Sequence, residues 1–244
     1  MQKKTADVAE LAKNEVHIWQ LDLNENKQHS TYFQSLLRVT ELNKLNRLRN
    51  PLHRKRALAM RAQLRLLLAN YTQLDPALIS FETTEFGKPY IVDSAFTFNV
   101  SHSEDRALVA ISACAQVGVD IEHWRPLDNL QGLVQRNFSD DEKEQWRDLP
   151  EQHREAVFFD IWTHKEAFIK ATGRGLGMGL SRFGFSLSAN GQLTQCPAEY
   201  GAAAEWSCAS LQLGEKVSAT VMMQADNCLP IIYKFKPEFP PSLG

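Results

Sequence analysis

Asp120 and Glu122 stand two apart in Val117-Gly118-Val119-Asp120-Ile121-Glu122, a run whose β-branched residues predict a strand. Strand side chains alternate between faces, so both acids project from the same one. Glu166 and Lys170 stand four apart in Trp162-Thr163-His164-Lys165-Glu166-Ala167-Phe168-Ile169-Lys170, which reads as helix and stacks the pair on one surface. If the two elements meet, three carboxylates converge beside lysines. Oxygen-only donors of that kind suit Mg²⁺, which completes its shell with water and substrate phosphates. Spacing alone leaves two plainer readings open, a solvated acidic strand face and an ordinary surface ion pair.

The elements that must position these groups follow from periodicity. Glu15 to Leu23 alternates like a first strand, and a helical region spans roughly Glu41 to Tyr71, with Pro51 marking a break or a first helical turn. Short strand-like runs follow at Ile79–Thr83, Phe96–Val100 and Ala107–Ser112, with a turn at Glu85 to Pro89. The second part repeats this order. A strand at Val117–Glu122 precedes a helix at Leu130–Arg136, another opened by Ser139 with Asp140, Asp141 and Glu142 in its first turn, and a long one from about Glu151 to Ala171 stopped by Gly173. Strand-like runs return at Phe183–Leu187, Glu205–Leu211, Lys216–Met223 and Ile231–Phe235. The reading is an α+β protein of two similar halves packed around a cleft. Residues 1–14 form a polar N-terminal segment, 15–115 the first half, 116–235 the second, and 236–244 a loose, proline-rich tail.

Three further features bear on chemistry. Lys44, Arg47, Arg49, Arg54, Lys55, Arg56, Arg61 and Arg65 lie close together with Glu41 as the one acid among them. They read as a solvated helix face, a nucleic-acid surface or a site for a small polyphosphate, for which arginine is well shaped. Phe98-Asn99-Val100-Ser101-His102-Ser103 ends a strand in a polar cluster; His102 is a capping residue or a phosphate donor. No G-x-S-x-G surrounds Ser101, which argues against a hydrolase triad. Gly173-Arg174-Gly175-Leu176-Gly177 follows a helix and lacks the lysine of a phosphate-binding loop, so it reads as a C-cap and flexible loop.

Composition excludes more than it names. The chain has 244 residues, 43% hydrophobic and 23% charged, with net charge −2, so bulk electrostatics point to no partner. The polar first fifteen residues lack the apolar stretch of a secretory signal, and no run approaches the roughly 18 apolar residues of a membrane span. Cys114, Cys196, Cys208 and Cys228 are scattered and read as reduced thiols of a cytoplasmic protein.

Taken in order, Phe86-Gly87-Lys88-Pro89, Phe98 to Ser103, Gly118 to Glu122 and Trp162 to Lys170 resemble the motif series of the 4′-phosphopantetheinyl transferase superfamily, in the long Sfp-type form with both halves in one chain. The resemblance runs from about Lys44 to Leu187. It implies a pseudo-dimeric α+β fold with coenzyme A and Mg²⁺ between the halves. It also implies transfer of the 4′-phosphopantetheine arm to a serine of an acyl or peptidyl carrier protein, releasing adenosine 3′,5′-bisphosphate. By the same resemblance Asp120, Glu122 and Glu166 hold the metal and Lys170 stabilises or protonates the departing phosphate. Arg56, Lys88, Ser101, His102 and Lys165 face coenzyme A, with His102 near the 3′-phosphate and Arg54 and Lys55 as rivals to Arg56. Glu166 is the expected base and Glu142 its alternative, while Trp162 packs.

Attack of a serine hydroxyl on a phosphoanhydride needs charge neutralisation, positioning and the removal of one proton, which this set can supply. The carrier is expected to dock on basic surface or on apolar residues near Leu130, Leu133 and Phe138. A monomer without nucleic-acid or membrane partners is expected. The competing readings are a Mg²⁺-dependent hydrolase of the coenzyme A pyrophosphate and a non-catalytic coenzyme A or carrier-binding module. A hydrolase would consume coenzyme A without a carrier, and a module would have no need of the acidic set.

Overall fold

The alternation of Glu15 to Leu23 becomes β1 (Glu15–Asp22) in the computed structural model, which describes residues 11–12, 14–24, 29–113, 116–187 and 191–239. Cys114 and the end of the tail lie outside the described residues. Three helices follow: α1 (Ser30–Leu36), α2 (Val39–Asn46) and α3 (Pro51–Thr72). Pro51 sits in the first turn of α3, where its missing N–H removes no hydrogen bond, and the Asn50 side chain accepts from Leu52 N and His53 N. That cap splits the single helical stretch the periodicity suggests. α1, which buries Phe33 and Leu36, is not anticipated from the sequence.

β2 (Phe81–Thr83) and β3 (Pro89–Ile91) form a hairpin whose turn holds Gly87 at φ +86°. β4 (Thr97–Ser103) and β5 (Arg106–Ser112) form a second hairpin. The other half begins with β6 (Val117–His123), then α4 (Leu130–Asn137), α5 (Asp140–Arg147) and α6 (Glu151–Thr172). It continues through β7 (Gly184–Phe185), β8 (Leu193–Gln195), β9 (Ser207–Ser210), β10 (Val217–Met223) and β11 (Leu229–Lys234).

The architecture is α+β in two halves. In each, the first strand pairs antiparallel with the last strand of a hairpin, which pairs with the strand before it: β1-β5-β4 in one sheet, β6-β10-β9 in the other. Between first strand and hairpin each half carries a 22-residue helix, α3 or α6, ended by a left-handed residue, Gln73 or Gly173. The pseudo-dimeric reading rests on this shared order.

Burial arranges the elements as helix, sheet, sheet, helix. Leu21, Val109 and Phe98 pack with Leu64 and Leu68 of α3. The other face of the first sheet, through Ile18 and Leu108, packs on Val119, Ile121 and Val221 of the second. Met222, on the opposite face of β10, joins Phe158 and Phe168 of α6. Each strand therefore shows odd and even positions to different layers.

Two sequence expectations shift. The stretch 116–235 does not stay in the second half, because β11 pairs in parallel with β1 and extends the first sheet. The tail is not loose over its described residues. Just before it Phe235 N donates to Gln20 O at 2.9 Å, and within it the Phe239 ring stacks on His29 with centroids 3.4 Å apart.

Candidate active site at the seam between the halves

β4 and β6, one from each half, meet through side chains. On one face of β4, Asn99 Oδ1 accepts from Val119 N at 2.9 Å, Ser101 Oγ donates to Asp120 Oδ1 at 2.7 Å, and Ser103 Oγ accepts from His123 N at 3.0 Å. Polar residues two apart on a strand share a face, so this stitching follows from the pattern Asn99, Ser101, Ser103. The sequence reading missed Asn99 and Ser103, although that period-two spacing was the signal.

From the other side α6 closes onto β6 at Gly118. A Cβ built there would lie 2.0 Å from Ala167 O and 2.4 Å from Ala171 N, so no other residue lets helix and strand approach this closely. The approach brings Lys170 to β6. Its Nζ donates to Asp120 Oδ1 at 2.7 Å, to Ser101 Oγ at 2.8 Å and to Val119 O at 3.3 Å. Glu166, one turn earlier, is half-buried. Burial, with the charges of Asp120 and Glu122 added, pushes its carboxyl up to about 7 against the opposing effect of Lys170.

Asp120, Glu122 and Glu166 thus share one electrostatic environment, as the sequence suggested. They do not converge as ready metal ligands; among the described residues no group of three such side chains does. Like charges repel, and Asp120 and Glu122 turn to donors instead. Asp120 takes Lys170 and Ser101, while Glu122 Oε2 takes Arg125 at 2.9 Å and Ser103 at 3.4 Å. The donor set nevertheless fits a hard cation. All the groups are oxygens, Asp120 Oδ2 is buried with no hydrogen-bond partner, and burial together with the neighbouring carboxylates raises Glu166, a cost that a bound cation would offset.

The next strand face carries His102, close to basic side chains of two helices. His102 points away from Ser101, and its pKa is lowered first by burial and then by Lys170, Arg56 and His53. Of the three rival cations, Arg56 is therefore the one placed with His102; Arg54 donates instead to Leu48 O at 2.8 Å. Other members of the basic segment are spent internally. Arg61 and Arg65 both pair with Glu41, and Arg65 also donates to Pro76 O and Ile79 O.

Lys88 ties the halves together. Its Nζ donates to Val117 O at 2.9 Å and to Ala171 O at 3.1 Å, and burial lowers its pKa to about 8. Beside it, between the β2–β3 hairpin and the end of α6, lies a cleft of about 770 Å³ lined by Phe86, Tyr90, Phe98 and Arg174. Arg174 sits over the Phe86 ring at 5.4 Å, so the glycine-rich loop contacts the Gly-Lys-Pro turn. Another cavity, of about 690 Å³, lies by Asp22, Arg106 and Phe235 and holds none of the anticipated site residues.

Three expectations fail on geometry. Lys165 does not face a cleft: it is fully buried, with Nζ donating to Leu180 O at 2.9 Å and Phe183 O at 2.7 Å and paired with Glu142 at 2.8 Å. Glu142 is equally buried and its oxygens are committed, Oε2 to Ser139 N and Oε1 to Phe185 N, so it is a structural anion with no route to a reacting proton. The N-cap that the sequence suggests at Ser139 is in the structure a capping box with Glu142, and this is what turns the acid inward. Phe138 packs on Trp146 and Phe158 inside the second core and offers no docking surface. Trp162, expected to pack, stacks on Phe158 at 5.8 Å.

Acids at a seam, walled by cations, are the equipment of an enzyme that handles phosphates. Comparison with known proteins gives the family. Residues 116–222 match the 4′-phosphopantetheinyl transferase superfamily and residues 24–115 match the N-terminal region of 4′-phosphopantetheinyl transferase. The chain is 37% identical over 170 residues to the 4′-phosphopantetheinyl transferase HetI of Nostoc sp., covering 68% of this chain and 72% of that one. It is 30% identical over 178 residues to 4′-phosphopantetheinyl transferase Sfp of Bacillus subtilis, covering 71% and 77%. With the L-aminoadipate-semialdehyde dehydrogenase-phosphopantetheinyl transferase of Xenopus laevis it shares 34% over 149 residues, covering 55% and 48%. The chain belongs to the 4′-phosphopantetheinyl transferase superfamily. No helix among its described residues is long and apolar enough to cross a membrane.

Proposed function

We propose that this protein moves the 4′-phosphopantetheine group from coenzyme A to a serine hydroxyl of an acyl or peptidyl carrier protein, acting as a cytoplasmic monomer. A bond forms between the serine oxygen and the phosphorus that bears pantetheine. The anhydride bond to the second phosphorus breaks, and adenosine 3′,5′-bisphosphate departs. The observation that carries this reading is the seam itself: Lys170 on Asp120 and Ser101, with Glu166 beside them.

Glu166 is the base. A carboxyl held near 7 can accept the serine proton at neutral pH, and a positioned base contributes about 10²–10⁴-fold. Lys170 is placed to neutralise charge growing on the leaving phosphate, because its three donors already aim at the seam. Arg56 supplies the positive charge for a phosphate of coenzyme A, and His102, kept neutral by burial and by the cations around it, can offer a ring N–H to the same group. Lys88, two carbonyls deep in the seam, holds the halves at the spacing the substrate needs. Asp120, Glu122 and Glu166 would hold Mg²⁺, which supplies neutralisation of the pyrophosphate when bound.

The test is the intact mass of an apo carrier protein incubated with this protein, coenzyme A and Mg²⁺, beside an Asp120→Ala control. A gain of one phosphopantetheine, absent in the control and without Mg²⁺, is expected. Coenzyme A consumed with every carrier class left unmodified would replace the transferase with a hydrolase.

A further inference from the structure

Glu104 stands in the two-residue turn between β4 and β5, directly after the strand that carries Ser101 and His102. Its backbone has φ +52°, in the left-handed region that favours glycine. A branched-off carboxylate in a conformation that glycine would adopt freely points to a job for the side chain. The other acid of the turn, Asp105, bonds to Asn24 Nδ2 at 2.6 Å, within the first half. Glu104 reaches instead to Arg56 on α3, pairing with Nη1 at 3.1 Å.

The pair is asymmetric. The Arg56 side chain is 18% exposed and that of Glu104 is 61% exposed. Arg56 Nε is buried without a hydrogen-bond partner, so the guanidinium keeps donors that one carboxylate oxygen does not use. Arg56 and Lys170 both lie within electrostatic reach of His102, and Glu104 is the carboxylate paired with Arg56 among the described residues. A phosphate presents more oxygens and more charge than a carboxylate, and a solvent-exposed ion pair is weak enough to be exchanged for it.

We infer that Glu104 is a displaceable counter-ion at the phosphate wall, competing with a phosphate group of coenzyme A for Arg56 and so limiting how tightly coenzyme A and the released bisphosphate are held. The inference rests on the proposed placement of a substrate phosphate at Arg56. Glu104 keeps the guanidinium oriented on the site side of α3 and yields it to the stronger anion; when the bisphosphate leaves, the carboxylate is at hand to replace it. Such a device weakens substrate and product alike, so its signature lies in binding.

The experiment is calorimetric titration of the full chain, with Mg²⁺ present, as wild type, Glu104→Gln, Glu104→Gly and Arg56→Ala. Coenzyme A, 3′-dephospho-coenzyme A and adenosine 3′,5′-bisphosphate are the probes. Glu104→Gln should bind coenzyme A about two- to five-fold tighter at low salt, the range of an exposed ion pair, with the gain shrinking at high salt. Glu104→Gly should show the same gain; it relieves the backbone strain, so a folding defect cannot imitate or mask the result. A gain with coenzyme A and the bisphosphate but not with the dephospho form places the 3′-phosphate at Arg56, and an equal gain with the dephospho form places the pyrophosphate there. If Arg56→Ala weakens coenzyme A while both Glu104 variants bind it unchanged or less tightly, the counter-ion role is wrong and the phosphate wall stands. If Arg56→Ala binds like wild type, or wild type binds no coenzyme A, the phosphate placement falls and the inference with it.

Discussion

Ser101 of β4 and Asp120 of β6 share a 2.7 Å hydrogen bond across the seam between the two halves, and Lys170 of α6 donates to both. Three elements from two halves therefore fix one point in space. The second Asp120 oxygen is buried with no hydrogen-bond partner, which leaves it available to the cation proposed above.

Lys170→Met removes the ammonium while keeping the length of the chain. On the proposed mechanism kcat should fall about 10²–10³-fold, the usual loss when one preorganised donor to developing charge is deleted. Single-turnover transfer to an apo carrier measures this directly. A loss confined to KM would assign Lys170 to ground-state binding instead.

Glu166→Gln preserves shape but cannot take a proton. Transfer should drop about 10²–10⁴-fold at every pH tested. Glu142, sealed at the Ser139 cap, provides the contrast: in Glu142→Gln the rate per folded molecule should stay near wild type. Equal losses in the two variants would reopen the assignment of the base.

The Glu142–Lys165 pair should govern stability. Both side chains are fully buried, so deleting one partner strands a charge and should cost about 3–5 kcal/mol. Urea unfolding of Glu142→Ala and Lys165→Met tests it. The double replacement Glu142→Gln with Lys165→Met should recover much of the loss, because no charge is then left unpaired.

Gly118→Ala places a methyl group against Ala167 O and Ala171 N, both backbone atoms that cannot step aside cheaply. Helix and strand must separate, with a destabilisation of about 1–3 kcal/mol typical of overpacking. Because Glu166 and Lys170 ride on α6, activity should fall further than the fraction unfolded accounts for. A variant with full activity would show that the spacing of α6 from β6 is not critical.

Lys88 introduces a pH dependence of stability. Its folded pKa is lowered to about 8 from the ordinary 10.5 by burial, so between those values the unfolded chain binds more protons than the folded one. Stability contributed at this site therefore rises as pH climbs through that window, and the cost of burying the charge is borne in full below it. Wild type should gain in urea midpoint relative to Lys88→Met between pH 8 and 10. Parallel midpoints would mean that Lys88 keeps its ordinary pKa.

Much of the scaffold was legible. Strand alternation located β1 and β6, Gly173 located the end of α6, and Ser139 with Glu142 located the start of α5, because each is a local effect of backbone geometry or capping. α1 was missed for want of a local signal: His29, at its N-cap position, makes no side-chain cap, and the helix is held by burying Phe33 and Leu36. Glu142 was misread for the opposite reason. Its acidity was visible, but whether an acid faces solvent or a buried lysine depends on a partner twenty-three positions away.

Sequence alone determined which residues carry charge, which strand face holds Asp120 and Glu122, and which helix face holds Glu166 and Lys170, since those follow from periods of two and 3.6 residues. Its motifs, in a fixed order, also resembled the family that comparison with known proteins then showed. Only the tertiary structure decided which of these groups share a site. The packing of α6 over Gly118 brings Lys170 to Asp120, the side-chain contacts between β4 and β6 bring Ser101 to the same atom, and burial sends Lys165 and Glu142 to the core while leaving Glu166 at the seam. Long-range contacts of this kind depend on which faces are desolvated together, and desolvation is a property of the assembled layers and of no single stretch of chain.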